Sequence, residues 1–194
     1  MNVAAVAEER VTDAEAIERS LREPQAFVVV FERHFDLLHR SLQVRAGAAS
    51  ADDLAAQTFE IAFRRRGDYD GSRADARAWL FGIALNLVRD LQRGERRQQR
   101  ALARLVPREG DLDPSLERVE AQAAGAPLRR ALARLPEEER DLLLLYGCVE
   151  LSYEECAAAL GIPVGTVRSR LHRLRTRLRE QLAPELRPGR EGGR

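Results

Sequence analysis

Residues 152–180 read SYEECAAALGIPVGTVRSRLHRLRTRLRE, and this stretch carries the strongest pattern in the chain. Ser152 followed by Glu155 has the spacing of a capping box, which predicts that a helix starts at Ser152. Gly161 suits the left-handed backbone of a turn and is predicted to end that helix. A longer second helix follows. The stretch is therefore predicted to fold as a short helix, a glycine-bearing turn and a long helix, which is the helix-turn-helix arrangement.

The second helix of this motif is predicted to run from near Gly165 to about Leu182, and it has two different faces. One face is an apolar stripe that is expected to be buried: Val167, Leu171, Leu174, Leu178 and Leu182. Six arginines against one glutamate give residues 165–180 a charge of +5. A helix that lies in the major groove of DNA needs an apolar inner face and a cationic outer face. A helix hairpin with a solvated basic face is the simpler alternative. The agreement between the turn spacing and the charge favours the DNA-binding helix.

The outward residues at the start of this helix are the candidate contacts to DNA. Side chains in that position can reach base edges in the major groove, and four residues qualify: Arg168, Ser169, His172 and Arg173. Thr166 and the helix N-terminus are placed to bind a phosphate, because unpaired backbone N–H groups point outward there.

The whole chain predicts an all-α protein made of two small helical domains joined by a flexible linker. From Pro24 onward, apolar residues recur at three- and four-residue spacing, which predicts a helical bundle over residues 24–104. Residues 105–125 carry five acids against two arginines, which predicts an acidic linker, although a plain spacer explains the same composition. The helix-turn-helix domain is predicted to span 126–183. A partly disordered N-terminal extension (1–23) and a disordered tail (184–194) are expected to flank the two domains.

Local signals give finer expectations for the N-terminal half. Thr12 followed by Glu15 could form a capping box in the extension. Gly47 marks a break between the first helix of the bundle and the second, which is predicted to start near Asp52. The first helix is expected to bury one apolar face: Phe27, Phe31, His34, Phe35, Leu38 and Leu42. Trp79 is interpreted as a core residue.

Composition excludes several classes of protein. The net charge of +1 gives no whole-chain argument for nucleic acid. The apolar runs are too short to span a bilayer and the N-terminus lacks a signal-peptide core, so a cytoplasmic protein without membrane insertion is expected. Cys148 and Cys156 are interpreted as buried thiols, because the cysteines and histidines share no metal-ligand spacing. Neither a metal nor a cofactor is expected. Without a phosphate-binding glycine loop, a nucleophile elbow or a paired His–carboxylate arrangement, no catalytic residue is expected either.

Residues 151–180 resemble region 4 of extracytoplasmic-function (ECF) sigma factors, the domain that reads the −35 element of a promoter. The resemblance implies that Arg168, Ser169, His172 and Arg173 approach bases. It implies that Arg170 and Arg175 hold phosphates. The chain departs from the family at Glu150, where a glycine is common, and at Tyr146, where some members carry arginine.

Two further segments, DDLAAQTFEIAFRR (52–65) and ARAWLFGIALNLVRDLQR (76–93), resemble sigma region 2. In the family the first segment docks on a coiled coil of the polymerase β′ subunit. The residues that this implies are Asp52, Asp53, Leu54, Gln57, Phe59 and Glu60, with Gln57 standing where many members have glutamate. The resemblance also implies that the loop before the second segment captures an unstacked base of the −10 element through Asp68, Tyr69 and Asp70. Asn86 is then expected to read a base. Four arginines are expected to contact the backbone of the same strand: Arg89, Arg93, Arg96 and Arg97.

The resemblance covers residues 24 to 183 in the order of the family. It implies a two-domain sigma factor that binds core RNA polymerase and directs promoter-specific transcription initiation without being an enzyme itself. The implied partners are the β′ coiled coil and the β flap of the polymerase, promoter DNA and an anti-sigma factor, and the free chain is expected to be a monomer. Two alternatives stay open at this point. One is a free-standing helix-turn-helix regulator, and the other is an adaptor that binds an anti-sigma factor without reading DNA.

Overall fold

The computed structural model describes residues 11–103, 132 and 134–182, and every regular element in these ranges is helical. The described helices are α1 (Asp13–Ser20), α2 (Val28–Ala46), α3 (Ala48–Arg64), α4 (Arg77–Ala103), α5 (Glu137–Leu143), α6 (Tyr153–Leu160) and α7 (Val164–Leu182). The predicted all-α class is confirmed. The predicted linker (105–125), the tail (184–194) and the first part of the extension lie outside the described residues. None of the described helices combines the length and the apolar character that crossing a bilayer requires.

Gly47 makes the break between α2 and α3 that the sequence predicts. Its φ of +83° lies in the region that favours glycine, and it directly joins the last residue of α2 to the first of α3. The prediction that the second helix starts near Asp52 is wrong, because α3 already begins at Ala48 without a capping side chain. Asp52 and Asp53 therefore lie inside the helix, on its exposed side.

Helices α2, α3 and α4 pack on one another and form the core of the N-terminal domain. Their fully buried side chains include Val30, Leu38, Ala51, Ala55, Leu80, Leu85 and Val88. Phe31, which the sequence predicts on the buried face, is 40% exposed. Its ring instead lies against Phe59 from outside, with the ring centroids 4.8 Å apart. The apolar stripe of α2 is thus wider than the groove that α3 and α4 offer it.

Helix α1 makes the second half of the N-terminal extension part of the same core. Thr12 and Glu15 form the predicted capping box: the Thr12 Oγ1 accepts from the Glu15 backbone N–H at 3.2 Å, and the Glu15 carboxylate accepts from the Thr12 N–H at 2.8 Å. Ala16 and Ile17 are 1% and 2% exposed. Burial of one isoleucine is worth about 1.5–3 kcal/mol, so the docking of α1 contributes measurably to domain stability.

Asp13 ties α1 to two other helices from a buried position. Its Oδ2 lies 2.6 Å from the His34 Nε2 of α2 and accepts from the Ala76 backbone N–H, at the start of α4, at 2.8 Å. Its Oδ1 pairs with the Arg33 guanidinium. Burial by itself raises the pKa of Asp13, but the hydrogen bonds from His34 and Ala76, together with Arg33, hold that pKa below its usual value. One carboxylate therefore connects three segments of the domain.

The C-terminal unit is built from α5, a π-helical turn (Leu144–Cys148), α6 and α7. Its buried side chains include Leu142, Leu145, Leu151, Val167, Leu171 and Leu174. The predicted capping box is present: the Ser152 Oγ accepts from the Glu155 N–H at 3.2 Å and the Glu155 carboxylate accepts from the Ser152 N–H at 2.7 Å. Gly161 ends α6 with a φ of +65°. The predicted helix-turn-helix motif is confirmed.

The two cysteines differ in environment. Cys156 is fully buried on α6, and this burial, with Glu155 nearby, raises the pKa of its thiol to about 11. Cys148 is exposed, so the prediction of a buried thiol is wrong for it. The reason is its place at the end of the π-helical turn, where the inward positions are taken by Leu144 and Leu145 and Cys148 lies on the outer side.

The C-terminal unit packs against the N-terminal domain through α4 and α6. The helices approach so closely at Gly82 that a Cβ atom there would lie 3.1 Å from the backbone oxygen of Ala159. Any larger residue at this position would push the two helices apart. The sequence predicted two domains and gave no indication of this contact.

Candidate nucleic-acid and polymerase interfaces

The N-terminal part of α7 presents the four predicted base contacts to solvent. Arg168, Ser169, His172 and Arg173 are all exposed, while Val167 and Leu171 are buried on the opposite side. Thr166 is half-buried at the helix start, and its carbonyl accepts from the Ser169 hydroxyl at 3.1 Å. The helix therefore has the two faces that insertion into a major groove requires.

Two tyrosines orient two of the arginines on α7. The Arg175 guanidinium lies 5.1 Å from the ring centroid of Tyr146, and that of Arg168 lies 5.9 Å from the ring centroid of Tyr153. The two tyrosine rings are themselves 5.4 Å apart. An arginine held over an aromatic face loses less rotamer freedom on binding a phosphate or a base. This role of Tyr153 could not be predicted from the sequence, because Tyr153 and Arg168 are 15 positions apart and no pattern links them.

Arg170, on the same helix, already has an acidic partner. It is half-buried, and its Nη1 pairs with the Glu138 carboxylate of α5 at 2.6 Å. Arg177, further along the helix, pairs with Glu139 of the same short helix at 2.5 Å. Of the two arginines predicted to hold phosphates, Arg175 is exposed, whereas Arg170 is half-buried and paired with Glu138.

The loop between α3 and α4 is ordered by its own side chains. The Tyr69 hydroxyl donates to the Arg73 carbonyl at 2.6 Å, and its ring packs on Trp79 with centroids 5.0 Å apart. Burial raises the pKa of Tyr69, and the Asp13 charge adds to this. Asp70 accepts from the Ser72 hydroxyl at 2.7 Å, and Asp68 is exposed. Trp79 is half-buried and packs against the core, which agrees with its interpretation as a core residue.

A cleft of about 400 Å³ separates this loop from α1. Its lining combines polar and apolar side chains: Thr12, Glu15, Ile17, Arg66, Tyr69 and Ser72. A pocket of this size could accept an extruded nucleobase, and a mixed lining suits the stacking and hydrogen bonding that such bases need.

The five predicted nucleic-acid residues of α4 lie along one helix, and each of them already has a partner within the chain. Asn86 is exposed and its Oδ1 accepts from the Arg89 guanidinium at 3.3 Å. Arg89 and Arg96 pair with Asp141 and Glu137 of the C-terminal unit at 2.9 and 3.0 Å. Arg93 pairs with Asp90, and Arg97 donates to the Arg93 carbonyl.

The predicted polymerase-docking residues divide into an exposed polar face and a buried support. Asp52, Asp53, Gln57 and Glu60 are exposed on α3, whereas Leu54 and Phe59 are 5% and 6% exposed. Asp52 is 2.7 Å from the His39 Nε2 of α2. The exposed ring of Phe31 adjoins this face through Phe59. The surface is thus acidic with an apolar margin, and a partner with a cationic surface would complement it.

Comparison with known proteins agrees with this arrangement of surfaces. Residues 30–98 match the family model "Sigma-70 region 2" and residues 126–178 match "Sigma-70, region 4". The ECF RNA polymerase sigma factor RpoE of Cereibacter sphaeroides is 32% identical over 178 residues, which cover 89% of this chain and 96% of RpoE. The chain belongs to the ECF sigma factor family. As a sigma factor, it directs promoter-specific transcription initiation.

Two other proteins extend the comparison. The ECF sigma factor SigE of Mycolicibacterium smegmatis is 36% identical over 157 residues, which cover 78% of this sigma factor and 59% of SigE. The structure of CnrH in complex with the cytosolic domain of CnrY aligns with a TM-score of 0.65 at 26% identity, covering 89% of this chain and 98% of the CnrH chain. The two-domain helical architecture is therefore shared across the matched length.

One departure of this sigma factor from its family lies at a strained backbone position. Glu150, which stands where a glycine is common, has a φ of +59° and is the only described residue other than glycine with a positive φ. The left-handed region is unfavourable for a residue with a Cβ atom, by about 1–2 kcal/mol. The turn before α6 thus keeps the backbone that glycine favours even though glycine is absent.

We expect Glu150→Gly to raise the free energy of unfolding by about 0.5–1 kcal/mol, since relief of strain exceeds the entropy that glycine adds to the unfolded chain. Urea unfolding followed by far-UV circular dichroism measures the change. Glu154→Gly, at an exposed helical position of α6, is the matched control and is expected to destabilise by about 1 kcal/mol. A loss of stability in Glu150→Gly would contradict the assignment of strain to this turn.

Proposed function

We propose that the two domains of this sigma factor divide promoter recognition between them. The C-terminal helix-turn-helix reads the −35 element with Arg168, Ser169, His172 and Arg173, and Thr166, Arg170 and Arg175 bind flanking phosphates. The observation that carries this proposal is the exposed cationic start of α7 above a fully buried apolar stripe. Exposed positive charge on a helix with a buried apolar stripe is suited to binding a polyanion such as DNA.

The N-terminal domain binds the −10 element in this proposal. Tyr69 lines a base-sized cleft, Asp68 and Asp70 flank it in the loop and assist in capturing the base, and Asn86 reads a neighbouring base. Arg89, Arg93, Arg96 and Arg97 follow the displaced strand. Polar capture of one or two bases along a cationic track is the usual physical basis for binding single-stranded DNA.

Energetics require that core polymerase takes part. Opening about a dozen base-pair steps costs roughly 15 kcal/mol at about 1.4 kcal/mol per step. Stacking and pocket contacts return about 1–3 kcal/mol per captured base. The chain by itself cannot keep a bubble open, and the exposed acidic face of α3 supplies a docking site. We propose that Asp52, Asp53, Gln57 and Glu60 contact the β′ coiled coil, that Leu54 and Phe59 support them from the core, and that the C-terminal domain meets the β flap.

The remaining roles follow from this assignment. The chain acts in the cytoplasm as a non-catalytic specificity subunit, without metal or cofactor, and is monomeric when free. It is held inactive by an anti-sigma factor. Support for a protein partner comes from CnrH, which was solved with the cytosolic domain of CnrY.

The experiment that tests the function is transcription from a pool of genomic promoter fragments by bacterial core polymerase, with and without this protein. Specific start sites that appear only when both are present are expected. Promoter binding by the protein alone, without new start sites, would instead identify a free-standing regulator. Neither binding nor new starts would favour an adaptor that meets an anti-sigma factor only.

Arg168→Ala and Arg173→Ala are each expected to weaken discrimination between the selected promoter and scrambled DNA by about 1–3 kcal/mol. Competition binding of the polymerase holoenzyme to both DNAs measures this difference. Arg179→Ala removes the same charge from the exposed end of the same helix and is expected to leave discrimination unchanged. Equal losses on both DNAs would show that Arg168 and Arg173 bind phosphates and do not read bases.

A further inference from the structure

Helix α1 and the loop between α3 and α4 are fastened to each other at both ends of the cleft that separates them. At one end the Asp13 backbone N–H donates to the Ala74 carbonyl at 3.0 Å. At the other end the Arg66 Nε donates to the Ser20 carbonyl at 3.3 Å. The folded chain therefore sets the distance between the two walls, and the cleft of about 400 Å³ is formed before any ligand enters it.

The N-terminal extension supplies one whole wall of this cleft. The lining residues of α1 and of its C-terminal cap follow the three- and four-residue spacing of a helix face: Ala14, Glu15, Ile17, Glu18 and Leu21. Leu21 is 52% exposed and brings apolar surface to the cleft. Together with the ring of Tyr69 on the opposite wall, it offers a surface on which a flat aromatic base can pack.

Most side-chain hydrogens in the lining are already donated within the protein. Three hydroxyls line the cleft, and each donates to an acceptor of the chain: Thr12 to Glu15, Tyr69 to Arg73 and Ser72 to Asp70. A hydroxyl whose hydrogen is used can only accept a further hydrogen bond. Arg66 donates its Nε and Nη1 to the carbonyls of Ser20 and Phe63, which leaves Nη2 for a ligand.

Two carboxylates supply the other polar groups of the α1 wall. The hydrogen bonds from the backbone N–H and the hydroxyl of Thr12 hold the pKa of Glu15 below its usual value, so this side chain stays an anion at neutral pH. Both bonds end on Oε2, which leaves Oε1 free to accept. Glu18 is exposed, and its carboxylate has no partner among the residues that the structure describes. The side chains of the cleft thus offer several acceptors and one donor.

The four bases of DNA differ in how well they match such a lining. Cytosine, adenine and guanine each carry an exocyclic amino group, which donates, close to ring atoms that accept. Thymine has no amino group and would turn its carbonyl oxygens toward the carboxylates of Glu15 and Glu18. A carbonyl that loses water without gaining a donor is costly to bury. The lining therefore favours a base with an amino group over thymine.

We propose that α1 is part of the base-reading site of this sigma factor, and that Glu18 accepts from the exocyclic amino group of the base captured from the −10 element. Glu15 offers a second acceptor, and the Arg66 Nη2 donates to a ring nitrogen or carbonyl beside the amino group. The proposal rests on the proposed function for the capture of a base by the loop. It adds the class of base that is captured, and it gives the N-terminal extension a share in reading it.

Binding of forked promoter DNA by the holoenzyme of core polymerase and the full chain tests the proposal. The promoter is one selected from the genomic pool, and its non-template strand is left single-stranded over the −10 element. An abasic site placed at one position after another is expected to weaken binding about tenfold where a base is captured. Ala14→Phe fills the cleft from the α1 side, so that intact and abasic forks should bind alike at the position that uses this cleft.

The chemical class of the base is tested at that position. Exchange of the amino-bearing base for thymine, or for the same ring without its amino group (2-pyrimidinone for cytosine, purine for adenine), is expected to weaken binding about tenfold. Glu18→Gln offers an amide donor in place of a charge and should remove most of this preference. Glu23→Gln is the matched control, because Glu23 pairs with Arg19 and lies outside the lining. Trp79 fluorescence and far-UV circular dichroism confirm that each variant is folded.

The outcomes separate this proposal from the proposed function. Equal binding of thymine and the amino-bearing base by the wild-type holoenzyme would overturn it, and so would an unchanged preference in Glu18→Gln. An abasic effect that persists at every position in Ala14→Phe would show that the base binds elsewhere, so that the role of α1 falls and capture stands. If no position responds to an abasic site in the wild type, capture itself is wrong, and the role of α1 falls with it.

Discussion

Replacing Asp13 with alanine is expected to lower the free energy of unfolding of the N-terminal domain by about 3 kcal/mol at neutral pH. The carboxylate is 2% exposed and satisfies His34, Arg33 and the first free N–H of α4. Its removal leaves the buried His34 side chain and the Ala76 backbone N–H without an acceptor, which costs more than the bonds themselves contribute. Trp79 is the single tryptophan of the chain and packs in this domain, so its fluorescence in a urea titration measures the change.

The pH dependence of this effect has a definite sign. Hydrogen bonds from His34 and Ala76, and from Arg33, outweigh burial and keep the pKa of Asp13 below its usual value. The contribution of Asp13 is therefore complete above the unfolded pKa of about 4 and is lost as the pH falls through the lower folded value. The difference between wild type and Asp13→Ala should narrow below about pH 4. Glu18→Ala, on the exposed side of α1, should change neither stability nor its pH profile. A difference that grows in acid would contradict the assigned role.

Leu171→Ala is expected to destabilise the C-terminal unit by about 2–5 kcal/mol, because the cavity left by a fully packed leucine is not refilled. Leu171 is 2% exposed in the stripe beneath the proposed base contacts. Urea unfolding followed by circular dichroism reports on both domains, whereas Trp79 fluorescence reports on the N-terminal one. The circular dichroism midpoint should therefore fall more than the fluorescence midpoint.

His172→Ala is the control for Leu171→Ala, since the neighbouring side chain is exposed and makes no core contact. It should leave both unfolding midpoints unchanged while affecting DNA discrimination. Equal shifts of the two midpoints in Leu171→Ala would mean that the domains unfold as one unit, and that the effect is not local to the helix-turn-helix.

Features determined by a few neighbouring residues could be predicted from the sequence. The capping boxes at Thr12 and Ser152 each depend on a glutamate three residues ahead, and Gly161 adopts the left-handed turn for which its lack of a side chain suits it. Helical periodicity likewise predicted the buried stripe at the start of α7. The all-α class follows from these local rules, because no segment between them has the alternation of a strand.

Contacts between distant segments could not be predicted in this way. Asp13 meets Ala76 across 63 residues, and Arg45 meets Asp141 across 96. No periodicity connects such partners, and an arginine on a helix surface has the same sequence pattern whether it is free or paired. For that reason the exposure of Arg168 and Arg173 was predictable, whereas the engagement of Arg89 and Arg96 was not. The Glu150 turn lies between these cases, since the resemblance to region 4 drew attention to the position but not to its backbone angle.

The separation of Arg45 and Arg89 from Asp141 along the chain also sets the order of events during synthesis on the ribosome. Arg45 precedes Asp141 by 96 residues and Arg89 precedes it by 52. Domains fold as units from the N-terminus as the chain emerges, so the first domain completes its core while α5 is still inside the translation machinery. In a nascent chain of this length Arg45 and Arg89 still lack their carboxylate partner. Packing of α5 on the N-terminal domain is therefore the last step of folding, because it brings Asp141 to the two arginines.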